Sequence, residues 1–326
     1  MKVKRFEKFE KGEKFEKSKK IGKKRQRTDA CLVLCGVLIW FLADADRVRR
    51  AAAEALILCG SSVIPALFPF LAVSALLISL GFGDWVSPHL AGLMALFRLP
   101  GSAGSALLLG LVGGYPIGAR TAADLYEKGL LTSGEAERLL SFCNNSNPVF
   151  LVSVLGAGVF GSVRAGIYLW LIHILSALLA GLFFRGKRKQ TAPQRVTRRT
   201  PCQELPSLPT ALVRAVQGSA LSMLSVCAFV VLFYVLAQPL GGLGGDLGPA
   251  LVGLTELFSL TPMLTPSSSG FILASGCAGW GGLSVLCQTA AVLDGSGLRL
   301  RNCVLGKALQ GALAALLAAL VQRFLL

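Results

Sequence analysis

Two apolar segments of this chain, 168 residues apart, carry the same glycine-centred pattern. Residues 113–123 begin with a Gly-Gly pair, residues 281–291 begin with another, and the two segments align without a gap. In membrane proteins, glycine-interrupted hydrophobic segments at corresponding places in two halves are the best sequence indicator of a transport site. The pattern therefore predicts a duplicated membrane domain with a site between its two broken helices.

The composition places the chain in a lipid bilayer. Hydrophobic residues make up 53% of its 326 residues, charged residues only 15%, and the mean hydropathy is +0.64. A soluble domain carries about 25% charged residues, so this chain has too little polar surface to cover itself in water. We expect an all-α polytopic membrane protein with two structural repeats and broken or re-entrant helices, whose freed backbone groups face protein or a wet cavity.

The apolar stretches fall into two classes of length. A spanning helix needs about 20 mostly apolar residues, and the stretches of that length are 56–82, 165–184, 210–236 and 302–326. The shorter or interrupted stretches, predicted to be half-helices or hairpins, are 30–43, 86–97, 102–112, 149–163, 248–260 and 271–293. The predicted domains are a basic cytoplasmic tail (1–28), an anchor or interfacial helix (29–55), a first repeat (56–185), a basic cytoplasmic linker (186–209) and a second repeat (210–326).

Positive charge is concentrated in the tail and the linker. Residues 1–28 hold 13 Lys and Arg against 4 Glu, and the linker carries a run of cations with no acid before Glu204. Such loops are typical of the cytoplasmic side. The tail is expected either to be a solvated segment that fixes orientation or to lie on anionic membrane lipid. Nucleic acid is not an expected partner, because no base-reading motif accompanies the charge.

A second pair of motifs supports the duplication. Residues 88–99 align with 249–260 at an offset of 161, and Gly60-Ser61 aligns with Gly218-Ser219 at an offset of 158. A steadily growing offset is expected of a duplicated unit with small insertions, and chance similarity between leucine-rich helices is the alternative. Whether the repeats are inverted or parallel depends on whether residues 30–43 span the membrane, which the sequence leaves open.

The first glycine break is a candidate binding site for an anion. Gly113, Gly114 and Pro116 are expected to unwind a helix, because glycine tolerates conformations closed to other residues and proline lacks a backbone N–H. The N–H groups that begin the next helix, together with Arg120, would then offer donors to a carboxylate. The alternative is a turn at the membrane interface with Arg120 reaching the headgroups.

A polar run lies between the first break and the next apolar segment. Residues 141–148 contain three asparagines and two serines. Asn144, Asn145 and Ser146 are predicted to coordinate a polar substrate or a cation. Capping of the following helix is the alternative.

Glu256 is the only carboxylate well inside an apolar segment, and Ala95 stands at the matching position of the first half. An unpaired charge in hydrocarbon costs at least about 2.5–3.5 kcal/mol. Glu256 is therefore expected to face a cavity, to pair with a cation or to carry a proton.

The second glycine break differs from the first in its polar residues. After Gly281 and Gly282, Ser284 and Gln288 stand where the first break has proline and arginine. Ser284, Gln288 and Thr289 are predicted to line the opposite wall of one central substrate site, and Gly281 and Gly282 are predicted to take part in binding. Hydrogen bonding between helices is the alternative role for the three polar side chains.

The sequence gives no reason to expect an enzyme, a metal site or a cofactor. Its nine cysteines lie without the accompanying ligands of a metal site, and it has no Walker loop or Ser-His-Asp set. His173, in a long apolar segment, is expected to be a packing residue with satisfied hydrogen bonds.

These motifs resemble the YlbJ-type (SpoVV) sporulation integral membrane proteins, within the wider group that carries the nucleoside-recognition or gate domain. The resembling segments cover roughly residues 55–320 in matching order and are 63–70, 114–119, 135–148 and 281–288. The run from Glu135 to Pro148 is quite specific, whereas the glycine pairs alone are not. The chain departs from the family in its basic N-terminus and at Leu286-Cys287, where a His-Ala pair is expected.

The resemblance implies a cell-membrane protein of a spore former, in the outer forespore membrane, that moves dipicolinic acid from the mother cell toward the forespore. Dipicolinate is a planar dianion with two carboxylates. A site built from an arginine, half-helix N-termini and asparagine amides suits such a small organic anion. The alternative functions are a non-transporting scaffold for spore envelope assembly and a nucleoside-type carrier, and no protein partner is predicted.

Overall fold

The computed structural model of the chain describes residues 28–186, 206–245 and 247–325. The predicted basic tail, apart from its last residue, and most of the predicted linker lie outside the described residues. The described residues divide into two compact units, with the boundary between Ala53 and Glu54 in the sequence. In the first unit, helix α1 (Thr28–Ala43) is apolar, largely exposed and shorter than a membrane-spanning helix.

The second unit is helical, and its described residues contain no β-strand. A π-helical turn at Cys59–Val63 leads into the first long helix, a π-helix covers Phe150–Val159 and a 3-10 turn covers Thr261–Met263. After α1, the helices of the described residues are, in chain order, α2 (Ala45–Leu58), α3 (Ile64–Ser79), α4 (Phe82–Leu96), α5 (Ala103–Gly113), α6 (Ile117–Glu127), α7 (Ser133–Leu139), α8 (Val163–Phe183), α9 (Leu208–Gly241), α10 (Leu247–Thr255), α11 (Leu257–Leu260), α12 (Ser268–Trp280), α13 (Gly282–Leu293) and α14 (Arg301–Leu325).

The expected class of an all-α polytopic membrane protein is confirmed. Four helical stretches of spanning length coincide with the four long apolar stretches in the sequence, and the fifth is the α12–α13 pair, Ser268–Leu293, which the sequence shows as interrupted. By length and composition, the candidate spans among the described residues are Ala45–Ser79, Val163–Phe183, Leu208–Gly241, Ser268–Leu293 and Arg301–Arg323.

The two halves of the second unit share an order of elements. Each has a long helix (α3 or α9), a shorter helical segment (α4 or α10–α11), a glycine-broken pair (α5–α6 or α12–α13) and a final long helix (α8 or α14). The first half adds α7 and the π-helix between its broken pair and its final helix. This order is the one expected of two repeats, and the duplication itself stays a prediction.

Small residues let the backbones of the interior elements approach closely. A Cβ atom at Gly279 of α12 would lie 2.8 Å from Cα of Gly311 in α14, and α12 and α14 pack along most of their length. The polar run passes between α5 and α6, where a Cβ on Gly110 or Gly118 would overlap the carbonyl of Cys143. Close approach through small residues is the usual way that helices associate in lipid.

The α12–α14 contact predicts a position-specific effect of alanine. Gly279→Ala should lower the free energy of unfolding by about 1–3 kcal/mol, because the added methyl group meets backbone that cannot move aside. Gly92→Ala in α4 is the matched control, because a Cβ there has no neighbour within 4 Å, and alanine should favour the helix by about 0.5–1 kcal/mol. Thermal unfolding midpoints in detergent measure both, and equal midpoints for the two variants would contradict this packing.

Candidate functional site

The first glycine break is built around the side chain of Asn147. Gly114 follows the last residue of α5 with φ of +83°, a conformation that side chains rarely adopt, and a Cβ there would lie 2.9 Å from Cβ of Asn147. Nδ2 of Asn147 donates to the carbonyl oxygens of Val112 and Gly113, both at 3.4 Å. Two of the carbonyls that the break leaves without a helical partner are therefore hydrogen-bonded inside the bundle.

The second glycine break is in contact with the first. Gly281, between α12 and α13, has φ of +85°, and a Cβ there would lie 2.9 Å from Oη of Tyr115. The same hydroxyl donates to the carbonyl of Ala278 in the last turn of α12, at 3.4 Å. Tyr115 belongs to the first break, so a residue of one break completes the hydrogen bonding of the other.

A third break separates α10 from α11 at Glu256. This residue is extended (φ −151°, ψ 119°), and its Oε2 accepts hydrogen bonds from the backbone N–H and the hydroxyl of Ser259 at 2.6 and 2.9 Å. Nε1 of Trp280 donates to the carbonyl of Leu254 in the last turn of α10, at 2.9 Å. Glu256 is only 2% exposed, and no Lys or Arg of the described residues forms a salt bridge with it. Its carboxylate therefore serves as the cap of α11 and is otherwise uncompensated in charge.

A cavity of about 30 Å³ lies where the three breaks meet. Its polar lining comes from Tyr115, Ser146, Asn147, Glu256 and Gln288. A cavity of this volume is large enough for one ordered water molecule. Ser146, Gln288 and Glu256, all predicted site residues, therefore line one small buried cavity.

Arg120 does not line this small cavity but lies at a much wider one. It is exposed on α6, just after the first break, and lines a cavity of about 580 Å³. Nη1 of Arg120 donates to the hydroxyl of Ser222 on α9 at 3.2 Å. The same cavity is lined by the basic side chains Lys128 and Arg214, besides two aspartates. Its volume falls in the range of small-molecule sites, about 300–1,000 Å³.

A third cavity, of about 420 Å³, shares lining residues with both of these cavities. It has Pro116, Arg120, Asp124 and Ser222 in common with the wide cavity. It has Val226 and Gln288 in common with the small cavity at the breaks. Arg120 and Gln288, predicted from the sequence to occupy corresponding positions, therefore line the walls of one intermediate cavity.

The remaining predicted site residues do not line these three cavities. Asn144 donates through Nδ2 to Oγ1 of Thr289, and Asn145 donates to the carbonyl of Phe142, both at 2.8 Å. Ser284 is buried and accepts a hydrogen bond from Nε2 of Gln288 at 3.3 Å. The glycines of the two breaks, Gly113, Gly114, Gly281 and Gly282, are packed against neighbouring backbone or side chains. Their role in binding stays a prediction.

A buried lysine is the main polar residue that the sequence analysis missed. Nζ of Lys307, on α14, donates to the carbonyl of Asn144 at 3.0 Å and to Oε1 of Gln310 at 2.8 Å, and lies 5.0 Å from the ring centre of Tyr115. Nε2 of Gln310 donates in turn to Oδ1 of Asn145 at 3.1 Å. The available signal was the spacing of Lys307 and Gln310, which at i and i+3 share one face of an otherwise apolar helix.

His173 also belongs to this interior cluster. Its Nε2 accepts a hydrogen bond from the backbone N–H of Ser146 at 3.1 Å. The histidine is buried, as expected of a packing residue, but its Nδ1 has no hydrogen-bond partner among the described residues. The expectation of fully satisfied hydrogen bonding was therefore wrong for one of its two nitrogens.

Comparison with known proteins gives two matches in sequence. A family model described as Gate, nucleoside recognition, matches residues 61–183, which include the first glycine break and the polar run. The chain is also 30% identical over 300 residues to the sporulation integral membrane protein YlbJ of Bacillus subtilis (strain 168), an alignment that covers 78% of this chain and 72% of that protein. No solved structure matches the chain.

The geometry at Glu256 predicts different effects for two substitutions. Glu256→Ala removes the acceptor that caps α11 and should lower the free energy of unfolding by about 0.5–2 kcal/mol. Glu256→Gln keeps an oxygen acceptor for the Ser259 N–H and should cost clearly less. Unfolding midpoints of the two variants in detergent test this, and equal losses would show that charge, rather than capping, accounts for the contribution of Glu256 to stability.

Proposed function

This chain belongs to the family of sporulation integral membrane proteins that includes YlbJ, and from that premise we propose that it is a secondary transporter of a small organic anion. We propose dipicolinate as the substrate, moved from the mother cell toward the forespore across the outer forespore membrane. The observation that carries the proposal is the placement of Arg120, which lines both the wide polar cavity and the intermediate cavity that shares Gln288 with the cavity at the helix breaks.

The chemistry of the wide cavity favours an anion. Arg120, Lys128 and Arg214 outnumber the two acidic side chains in its lining, Asp84 and Asp124. A guanidinium binds a carboxylate through two parallel hydrogen bonds, which fixes a planar ligand in orientation as well as position. An aromatic dianion would find both a positive cavity and a directional donor here.

The sequence of cavities supports transport rather than simple binding. The wide cavity, the intermediate cavity and the small cavity at the breaks share lining residues in that order. Interrupted helices at the inner end are the elements that carry substrate sites in transporters built from repeats. A scaffold for envelope assembly would not require three cavities that share lining residues in this order.

A nucleoside-type carrier is the second candidate. The observation in its favour is the match of residues 61–183 to a family model for nucleoside recognition. The excess of positive charge at the wide cavity favours an anion over a neutral nucleoside, and on that ground we place dipicolinate first.

Uptake by the purified protein in liposomes tests the proposal. Labelled dipicolinate should enter vesicles that contain the protein faster than empty vesicles, and labelled uridine should not. Arg120→Gln should lower the initial rate of dipicolinate uptake by about 10- to 100-fold, the effect of losing a charge-assisted hydrogen bond of about 1.5–3 kcal/mol.

Arg299→Gln is the matched control, because Arg299 is exposed and lines none of the three cavities. It should transport like the wild type. Uptake of uridine in place of dipicolinate would favour the nucleoside carrier, and the absence of uptake of either compound would favour the scaffold.

A further inference from the structure

Lys307 is fully buried in the middle of the bundle, with 0% of its side chain exposed. It lies on α14, a helix long and apolar enough to span the membrane. Gly306 beside it has no side chain, which lets α14 touch the backbone of Ser141 and brings Lys307 within reach of the polar run. The position of Lys307 is therefore set by the packing of α14 against that run.

The partners of Lys307 are all uncharged. Its Nζ reaches one backbone carbonyl, one amide oxygen and the face of one tyrosine ring, and no salt bridge among the described residues involves it. An ionisable side chain at membrane depth is expensive, and it is generally retained where it pairs with another charge or lies on a substrate pathway. The structure supplies no paired charge, which leaves the substrate as the source of the missing anion.

Two further hydrogen-bond donors of the same cluster lack a well-formed hydrogen bond among the described residues. Oγ of Ser146 is buried, forms no hydrogen bond of good geometry and lies close enough to Tyr115 to interact with it. Nε2 of His173 accepts from the Ser146 backbone, so in the neutral ring the proton resides on Nδ1. That Nδ1–H has no hydrogen-bond partner among the described residues. Such buried donors beside a lysine provide hydrogen-bonding capacity that an anion's oxygens can use.

Tyr115 separates Lys307 from the cavity at the breaks. One part of the tyrosine lines that cavity, with Ser146, Glu256 and Gln288. Its ring lies over Nζ of Lys307 at 5.0 Å, within the range of a cation–π contact. Its hydroxyl donates to the carbonyl of Ala278 at 3.4 Å, which is long for an O–H donor, and it also lies near the side chain of Ser146. The covering ring is thus weakly held at its polar end.

We propose that Lys307 is the inner anion-binding residue of the transport pathway, and that a carboxylate of the substrate replaces the Tyr115 ring over the Lys307 side chain when Tyr115 moves. This assignment rests on the proposed transport of an organic anion and extends it from the wide cavity at Arg120 to the centre of the bundle. Arg120 then binds the anion at the wide cavity, and Lys307 binds it after it has passed the helix breaks.

Binding of a charged and an uncharged ligand of the same shape tests the assignment. The ligands are dipicolinate and pyridine-2,6-dicarboxamide, and the protein is the full chain in lipid nanodiscs, studied by calorimetry. Lys307→Met should weaken dipicolinate binding by about 10- to 100-fold, the range of a lost charge-assisted hydrogen bond, and leave binding of the dicarboxamide nearly unchanged. Gln310→Met is the matched control, because it breaks the same buried network and keeps the lysine. It should change the affinities for both ligands together.

A second measurement does not depend on the folding of the lysine variant. Wild-type protein is treated with acetic anhydride, and acetylation of Lys307 is followed by mass spectrometry. Saturating dipicolinate should protect Lys307, and saturating dicarboxamide should not. A Lys307 that is never acetylated, or is acetylated equally with and without dipicolinate, would overturn the assignment.

The outcomes separate this assignment from the proposed function. If the wild type binds dipicolinate, and Lys307→Met keeps the same preference for dipicolinate over the dicarboxamide, the role of Lys307 is overturned and the proposed function stands. A wild type without measurable dipicolinate binding would overturn the proposed substrate, and the role of Lys307 with it.

Discussion

The rest of the structure depends on one requirement, that every backbone carbonyl freed by a helix break inside the apolar bundle finds a hydrogen-bond donor. Lipid offers none, and an unsatisfied buried carbonyl costs several kcal/mol on the scale of about 2–7 kcal/mol for a peptide group in an apolar medium. Three side chains donate to four of these carbonyls at three breaks. Asn147 serves the end of α5, Tyr115 serves the end of α12, and Trp280 serves the end of α10. The breaks are thereby held against one another at the centre of the second unit.

The same requirement ties the candidate site to the fold. Tyr115 donates to α12, lines the cavity at the breaks and covers Lys307, so it cannot move without freeing the Ala278 carbonyl and uncovering a buried lysine. A net hydrogen bond of this type contributes about 0.5–1.5 kcal/mol, a cost that a carboxylate bound to Lys307 readily offsets. A ligand with no negative charge has no comparable way to compensate for the displaced tyrosine. The proposed preference for an anion would therefore follow from how the carbonyls at the breaks are hydrogen-bonded.

The sequence predicted the helical membrane class, the long spans and the two glycine breaks, because apolar length and glycine or proline positions are local properties. Glu256 was also recognisable as a buried polar side chain, because it is a carboxylate within an apolar stretch. The cluster around Lys307 was not predicted, because its members come from α14, α8, the polar run and the first break, and only the packing of α14 on the polar run brings them together. The asparagines illustrate the limit of reading residue type alone. Asn144 and Asn145 suggest a ligand site in sequence, yet in the fold their side chains bond to Thr289, Phe142 and Gln310.

The central claim is that the substrate passes from Arg120 to the meeting point of the helix breaks. The most direct measurement is a structure of the protein in lipid nanodiscs with saturating dipicolinate, determined by electron cryomicroscopy. The account predicts ligand density in the cavities lined by Arg120 and Gln288, or at Lys307 with the Tyr115 ring moved aside. Density confined to the apolar groove between α10, α12 and α14, which is lined by Leu254, Leu273 and Ala312, with the breaks closed as described, would contradict it.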